Sequence, residues 1–409
     1  MQQNSEATAG RRAFLKSSST AAGFLLLKPE TVFGTQANSA VELGIIGIGG
    51  RGEWIGDFFT QSGGHVVALA DAFHDRLETG RAKFKVEPSR LYRGLKSYQE
   101  LIASKLDAVV IETPPYFHPE QVAAAVDAGK HVFLAKPVAV DVPGCRSILE
   151  SGLKAKGKVS FLVDFQTRAQ PAFREAAARV HRGDIGTPVL GHVFYHGSGG
   201  DPTPRPGWSR DEARLRLWPR DRVLSGDIIV EQNIHALDVA NWYLRGHPTK
   251  ASGMGGHNVR MNYGDCWDYF VVTFWYPNDV TVDFSSIQFA KGFYDICIRV
   301  YGTAGTVDSH YGLGARFGVD PRYDGYVAIS GQTQWKGADR DPTFDDGAIA
   351  NVKAFLQSIK TGNYLNNAAE SVDSNLACIL GRMAAYRGGA ATWDEMLDLN
   401  TKLDAGLQL

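Results

Sequence analysis

From Val41 the chain alternates short apolar runs with amphipathic stretches. VELGIIGIG, GHVVALAD, LDAVVIET, HVFLA and KVSFLVDF are runs of Val, Ile, Leu and Phe with few polar interruptions. Between them lie stretches of helical period, among them PEQVAAAVDAGK and VPGCRSILESGLKAKG. Continuous apolar strands separated by helices predict a parallel sheet covered on both faces, so residues 41–165 read as one α/β unit. From about residue 187 the period changes. TPVLGHVFYH, DYFVVTFWYP, VTVDFSSIQF and YDICIRVYG are longer strands joined by turns such as PND, which predicts a large, open, mostly antiparallel sheet. Helical stretches from GAIANVKAFLQSIKTG through AESVDSNLACILGRMAAYRGG close the chain, making residues 166–409 a second, α+β domain.

Residues 197–227, GSGGDPTPRPGWSRDEARLRLWPRDRVLSGD, stand apart: Gly, Pro and Arg are frequent, with Trp208 and Trp218 among them. The segment is too long for a simple connection, so it is read either as a lid over a site or as a solvated surface loop.

Composition narrows the partners. The chain has 409 residues, 44% of them hydrophobic, and a formal net charge of -1, with no sustained basic run. It carries no electrostatic footprint for nucleic acid, so a small-molecule partner is expected. At the N-terminus GRRAFLKSSSTAAGFLLLKPE places Arg11 and Arg12 ahead of an apolar stretch ending at Leu27, too short for the roughly 20 apolar residues of a membrane span. The pattern resembles a twin-arginine export signal with small residues for cleavage at Ala37–Ala40. Residues 1–40 are thus expected to be signal and linker, and the mature protein periplasmic and free of the membrane. Cys145, Cys266, Cys297 and Cys378 form no Cys-x-x-Cys pair and are expected as free, buried thiols.

The first strand runs into Gly47-Ile48-Gly49-Gly50-Arg51-Gly52 and opens a helix. That is the context in which a G-x-G-x-x-G run lets a pyrophosphate approach the helix N-terminus, the signature of a Rossmann domain. Asp71 ends the second strand, 19 residues past Gly52, near the spacing of a carboxylate that holds the adenine ribose, which favours NAD over NADP. With Lys136 in AKP, with Thr113, Pro114, Pro115 and His118 in ETPPYFH, and with Glu231, His235 and Asp238 in EQNIHALD, the chain resembles the Gfo/Idh/MocA dehydrogenases over residues 41 to the C-terminus.

The resemblance implies a Rossmann NAD-binding domain, a substrate domain whose sheet pairs copies of the chain, and a carbohydrate or polyol substrate. It places Thr113, Pro114, Pro115 and His118 along the cofactor and makes Lys136 and His235 catalytic. On a helix Glu231 and His235 share a face, so His235 with a carboxylate one turn before it is read as the base for a substrate hydroxyl. Lys136, its pKa lowered by desolvation, would stabilise the alkoxide or donate a proton. Two departures stand out: Ala135 replaces the family's glutamate, and Glu231 with Gln232-Asn233 replaces its Asp-x-Gly step.

An alternative use of the site is a divalent ion, zinc by ligand type, on Glu231, His235 and Asp164, with His196 as a further ligand from the second domain. Export away from free NAD implies a tightly bound cofactor recycled in place. An NAD-dependent sugar oxidoreductase is expected, with a redox-neutral glycoside hydrolase or lyase and a non-catalytic sugar- or nucleotide-binding protein as the alternatives.

Overall fold

The computed structural model describes residues 40–291, 294–311, 326–337 and 344–408. The apolar runs form six parallel strands: β1 (Val41–Ile46), β2 (Gly64–Asp71), β3 (Leu91–Arg93), β4 (Ala108–Ile111), β5 (His131–Ala135) and β6 (Phe161–Asp164). Their order is β3-β2-β1-β4-β5-β6. The order reverses between β1 and β4, and in open parallel sheets the crevice beyond the strand ends at that point receives the ligand. Helix α1 (Gly50–Gln61) leaves β1 beneath this crevice, and α2 (His118–Asp127) follows β4.

The second sheet has nine strands: β7 (Pro188–His196), β8 (Lys250–Gly256), β9 (Tyr269–Trp275), β10 (Thr281–Ile287), β11 (Asp295–Gly302), β12 (Gly305–His310), β13 (Val327–Gly331), β14 (Trp335–Lys336) and β15 (Ala390–Thr392). The order is β14-β13-β12-β11-β7-β10-β9-β8-β15, antiparallel throughout except for the parallel pair β7 and β10. One face alternates into the core through Val193, Phe270, Val272, Phe274, Val282 and Phe284, all at 0% exposure, and this face is covered by α3 (Ile234–Leu244). The small strands β14 and β15 carry too little pattern to be read from sequence.

The two closing helices, α4 (Phe344–Thr361) and α5 (Ala368–Arg387), do not both belong to the second half. Val352, Phe355 and Leu356 of α4 pack into the core of the first sheet, where Phe355 meets Phe59 and Phe133 edge-on at 6.0 and 5.5 Å between ring centroids. α5 packs on the second sheet, and its Asn375 reaches back to the chain after β5. The Asn375 Oδ1 accepts from Val138 N–H at 3.0 Å, and its Nδ2 donates to the Ala139 carbonyl at 3.1 Å. Residues 166–409 therefore complete the first domain as well as building the second, and Ala40–Leu409 form one compact unit.

Within residues 197–227 the first part, 198–210, is largely exposed, and the second, 211–227, is a packed strap. The strap holds helical turns at Arg210–Arg216, Trp218–Arg220 and Arg222–Ser225, and Leu215 and Leu224 join Phe117 in a small apolar cluster. Arg216 pins the strap with two hydrogen bonds of 2.9 Å to Asp75, over the Phe73 ring. All four cysteines are free and buried. The twin-arginine segment lies outside the described residues, and among those described no helix is long and apolar enough to cross a membrane.

Candidate active site

A cleft of about 440 Å³ opens at the reversal of strand order. Its floor is the turn after β1. Gly47 adopts φ +89°, where a side chain is strained, and a Cβ on Gly52 would stand 2.1 Å from the Gly47 carbonyl oxygen. Gly47, Gly49, Gly50 and Arg51 line the cleft; Gly52 lies behind the turn and lets the helix come close. Ile48 is also behind it, its side chain at 0% exposure in the core. The Ile48 N–H donates to Asp71 Oδ2 and the Phe73 N–H to Asp71 Oδ1, both at 2.9 Å. Burial raises the Asp71 carboxyl, and Arg76 with these two donors opposes the rise. Asp71 thus ties the first two strand ends together at the edge of the cleft.

Thr113, Pro114 and Pro115 line the next wall. His118 does not reach the cleft. It is fully buried behind the loop, its Nδ1 and Nε2 each 2.8 Å from a carbonyl, those of Pro137 and Thr113. Burial pushes its pKa down to about 4. Its role is to clamp the segment after β4 to the segment after Lys136, not to touch a ligand.

Lys136 follows β5, with its side chain 8% exposed and facing the second domain. Its Nζ donates to the Glu231 carbonyl at 2.5 Å and lies 3.3 Å from Glu231 Oε1. Burial lowers its pKa, against the pull of Glu231. Glu231 and His235 do not share one straight helix: Ile228–Glu231 is a separate turn, and α3 begins after Asn233. That turn is fixed by Asp227, whose Oδ1 accepts from Ile228 N–H and whose Oδ2 accepts from the Tyr386 hydroxyl, each at 2.6 Å. The break turns Glu231 toward Lys136 rather than toward His235.

His235 borders the cleft, 4% exposed, with the Tyr311 ring 5.5 Å away. Burial first, then Lys136 and Arg51, hold its pKa well below the usual histidine value, so it is neutral at physiological pH. Asp238 points away from the cleft, where the Arg168 guanidinium takes both its oxygens at 2.8–3.1 Å.

Sequence reasoning missed what lies beside Ala135. Glu112 follows β4 and Asp164 ends β6, so by register Ala135 sits between two carboxylates on one face of the sheet. Arg51 spans them, with Nε 2.7 Å from Glu112 Oε2 and Nη2 2.5 Å from Asp164 Oδ2. Both carboxyls are raised by burial, Glu112 to about 7. An acid at the end of a buried strand was the available signal. Tyr195, Gln232, Leu215 and Trp218 also line the cleft, the last two from the strap, while Trp208 does not.

The metal set read from the sequence as an alternative use of the site is not assembled. Glu231 is taken by Lys136 and Asp164 by Arg51, Gln166 and Asn351. His196 lies on the opposite face of the second sheet from its neighbour Tyr195, as strand alternation requires, and pairs with Ser285 Oγ at 3.0 Å. Among the described residues the grouping with ligand atoms close enough for one ion is Asp295, Cys297 and His310, remote in sequence from this triad. There His310 lies 2.7 Å from Asp295 and 3.3 Å from Asp308.

A reversed parallel sheet, a glycine turn open to a pyrophosphate and a lysine-histidine pair across the cleft define a two-domain, dinucleotide-binding oxidoreductase. Residues 41–164 match the oxidoreductase family with an NAD-binding Rossmann fold, and residues 173–308 match the GFO/IDH/MocA C-terminal domain. The chain belongs to the GFO/IDH/MocA oxidoreductases. It is 28% identical to an inositol 2-dehydrogenase of Acidothermus cellulolyticus over 272 residues, 66% of this chain and 72% of that one. It is 25% identical to a scyllo-inositol 2-dehydrogenase (NAD(+)) of Bacillus subtilis over 278 residues, 65% of this chain and 73% of that one. A solved levoglucosan dehydrogenase, in complex with NADH and levoglucosan, has the same fold at a TM-score of 0.69 and 17% identity. That match covers 86% of this chain and 99% of the other.

Proposed function

We propose that the protein oxidises a secondary hydroxyl of a polyol or carbohydrate, with NAD held in the cleft. The observation that carries this reading is the convergence of Lys136 and His235 on the cleft floored by Gly47, Gly49 and Gly50. NAD fits the residues present: the turn offers no side chain against a pyrophosphate, and Asp71 stands at the end of β2. Bound there, NAD supplies the hydride acceptor.

The chain supplies the rest. His235, neutral because it is buried beside two cations, takes the hydroxyl proton. Lys136 stabilises the oxygen as it loses that proton, and Glu231 fixes the ammonium through two of its oxygens. Leu215 and Trp218 cover the cleft from the strap and exclude water.

Three finer readings go with it. The Arg11-Arg12 pair before a short apolar stretch supports export by the twin-arginine route, and export supports a cofactor retained and re-oxidised in place by a second carbonyl substrate. The registered pair Met254 and Val271, 66% and 46% exposed on the outer face of the second sheet, supports pairing of copies through that face. Lys136→Ala and His235→Ala should each lower turnover by about 100-fold or more while NADH binding is retained. Full turnover in either variant would remove its residue from the mechanism.

A further inference from the structure

Asp164 and Glu112 are both fully buried and both paired with Arg51, yet they are treated differently by their surroundings. Asp164 accepts three hydrogen bonds: from Arg51 Nη2 at 2.5 Å, Gln166 Nε2 at 2.6 Å and Asn351 Nδ2 at 2.8 Å. Glu112 has Arg51 alone, whose Nε lies 2.7 Å from Oε2. That contact is off the line of a full hydrogen bond, and among the described residues no other donor reaches either oxygen. A buried carboxylate paired with a single, poorly aligned donor is under-satisfied unless something brings it another. Glu112 borders the cleft, between Gly47 and Thr113. Ala135, its neighbour on the next strand by register, also lines the cleft and carries only a methyl group.

Resting on the function proposed above, we infer that Glu112 is a ligand-binding residue, whose carboxylate accepts a hydroxyl of the molecule held in the cleft. The donor has one chemistry and two sources: a ribose hydroxyl of the dinucleotide, or a hydroxyl of the polyol. Asp164 and Arg51 are the frame. Asp164, saturated, anchors the guanidinium, and the guanidinium holds Glu112 at the cleft wall without satisfying it. Burial, countered by Arg51 and reinforced by Asp164, raises Glu112 to about 7, so near neutrality it can accept a hydroxyl as carboxylate or exchange a proton with it. The acid missing at position 135 is thereby replaced from the next strand.

The test is a pair of titrations on the full protein and on Glu112→Gln, which keeps the volume: NADH binding by fluorescence without substrate, and KM for myo-inositol with saturating NAD. A tenfold weaker NADH Kd locates the hydroxyl on the ribose. A tenfold higher KM with unchanged NADH Kd locates it on the polyol. The analogue deoxygenated at that hydroxyl should then bind the unaltered protein and the variant equally, which a purely structural role for Glu112 would not produce. If Glu112→Gln does not fold, Glu112→Asp keeps the charge, withdraws the oxygens by one methylene, and should show the same tenfold loss. Unaltered binding in both titrations overturns the inference and leaves the oxidoreductase reading intact. Failure of the unaltered protein to bind NADH overturns both.

Discussion

Burial beside Arg51 sets the behaviour of Glu112, and it has a consequence for stability as well as for binding. Its carboxyl is raised from the ordinary 4.5 to about 7, so between those values the folded protein holds a proton that the unfolded chain has released. Stability from this group is therefore present at low pH and falls as pH rises from 4.5 through 7. Glu112→Gln removes this term: the ligand-free variant should lose less unfolding free energy than the unaltered protein between pH 5 and about 7.5, measured by urea denaturation. Parallel pH profiles would mean that Glu112 is not raised. At this scale the sequence was legible where a residue type has few uses. Lys136 at a buried strand end and His235 after an acid both lie in the cleft. It was not legible where direction decides. His118, Asp238 and His196 have the right chemistry but point into the clamp, toward Arg168 and onto the outer sheet face. A one-residue step on a strand, or two on a helix, reverses where a side chain goes.

Among the elements, the turn from β1 into α1 tolerates least. A methyl on Gly52 would meet the Gly47 carbonyl at 2.1 Å, and backbone cannot move aside as a long side chain can. Gly52→Ala should cost about 1–3 kcal/mol of stability and weaken NADH binding, both readable by melting with and without NADH. An unchanged melting point in both conditions would contradict the close approach. The strap makes a different prediction, because Trp218 lines the cleft but is not part of a strand or long helix. Trp218→Ala should speed NADH release in stopped-flow fluorescence with little change in melting temperature; an unchanged release rate would mean the strap does not cover the cofactor. The strands and long helices were legible because their apolar periods are long. The strap was not, since its Gly- and Pro-rich sequence hides three short helical turns held by Arg216 and Leu215.

In the whole molecule the two closing helices tie the halves together at two points. Phe355, near the C-terminus, fills the core around Phe59 and Phe133, and Asn375 holds the segment after Lys136. Periodicity reports that α4 is amphipathic but not which core it joins, which is why the domain division read from sequence stopped at residue 165. Phe355→Ala should cost about 3–5 kcal/mol and lower the unfolding of both halves in one transition, followed by near-UV and far-UV circular dichroism. Two separated transitions would mean that the halves unfold independently.

All of these features serve one claim, that a hydride leaves a polyol carbon in this cleft with His235 and Lys136 at its hydroxyl. The most direct measurement mixes the NAD-loaded protein with myo-inositol deuterated at the ring carbons, in a single turnover, and follows reduced-nicotinamide absorbance and deuterium at the nicotinamide C4. The account predicts a rise of up to one equivalent per subunit, carrying deuterium, and none in His235→Ala or Lys136→Ala. No rise across a panel of polyols and sugars, or glycosidic bond cleavage without transfer of deuterium, would contradict it.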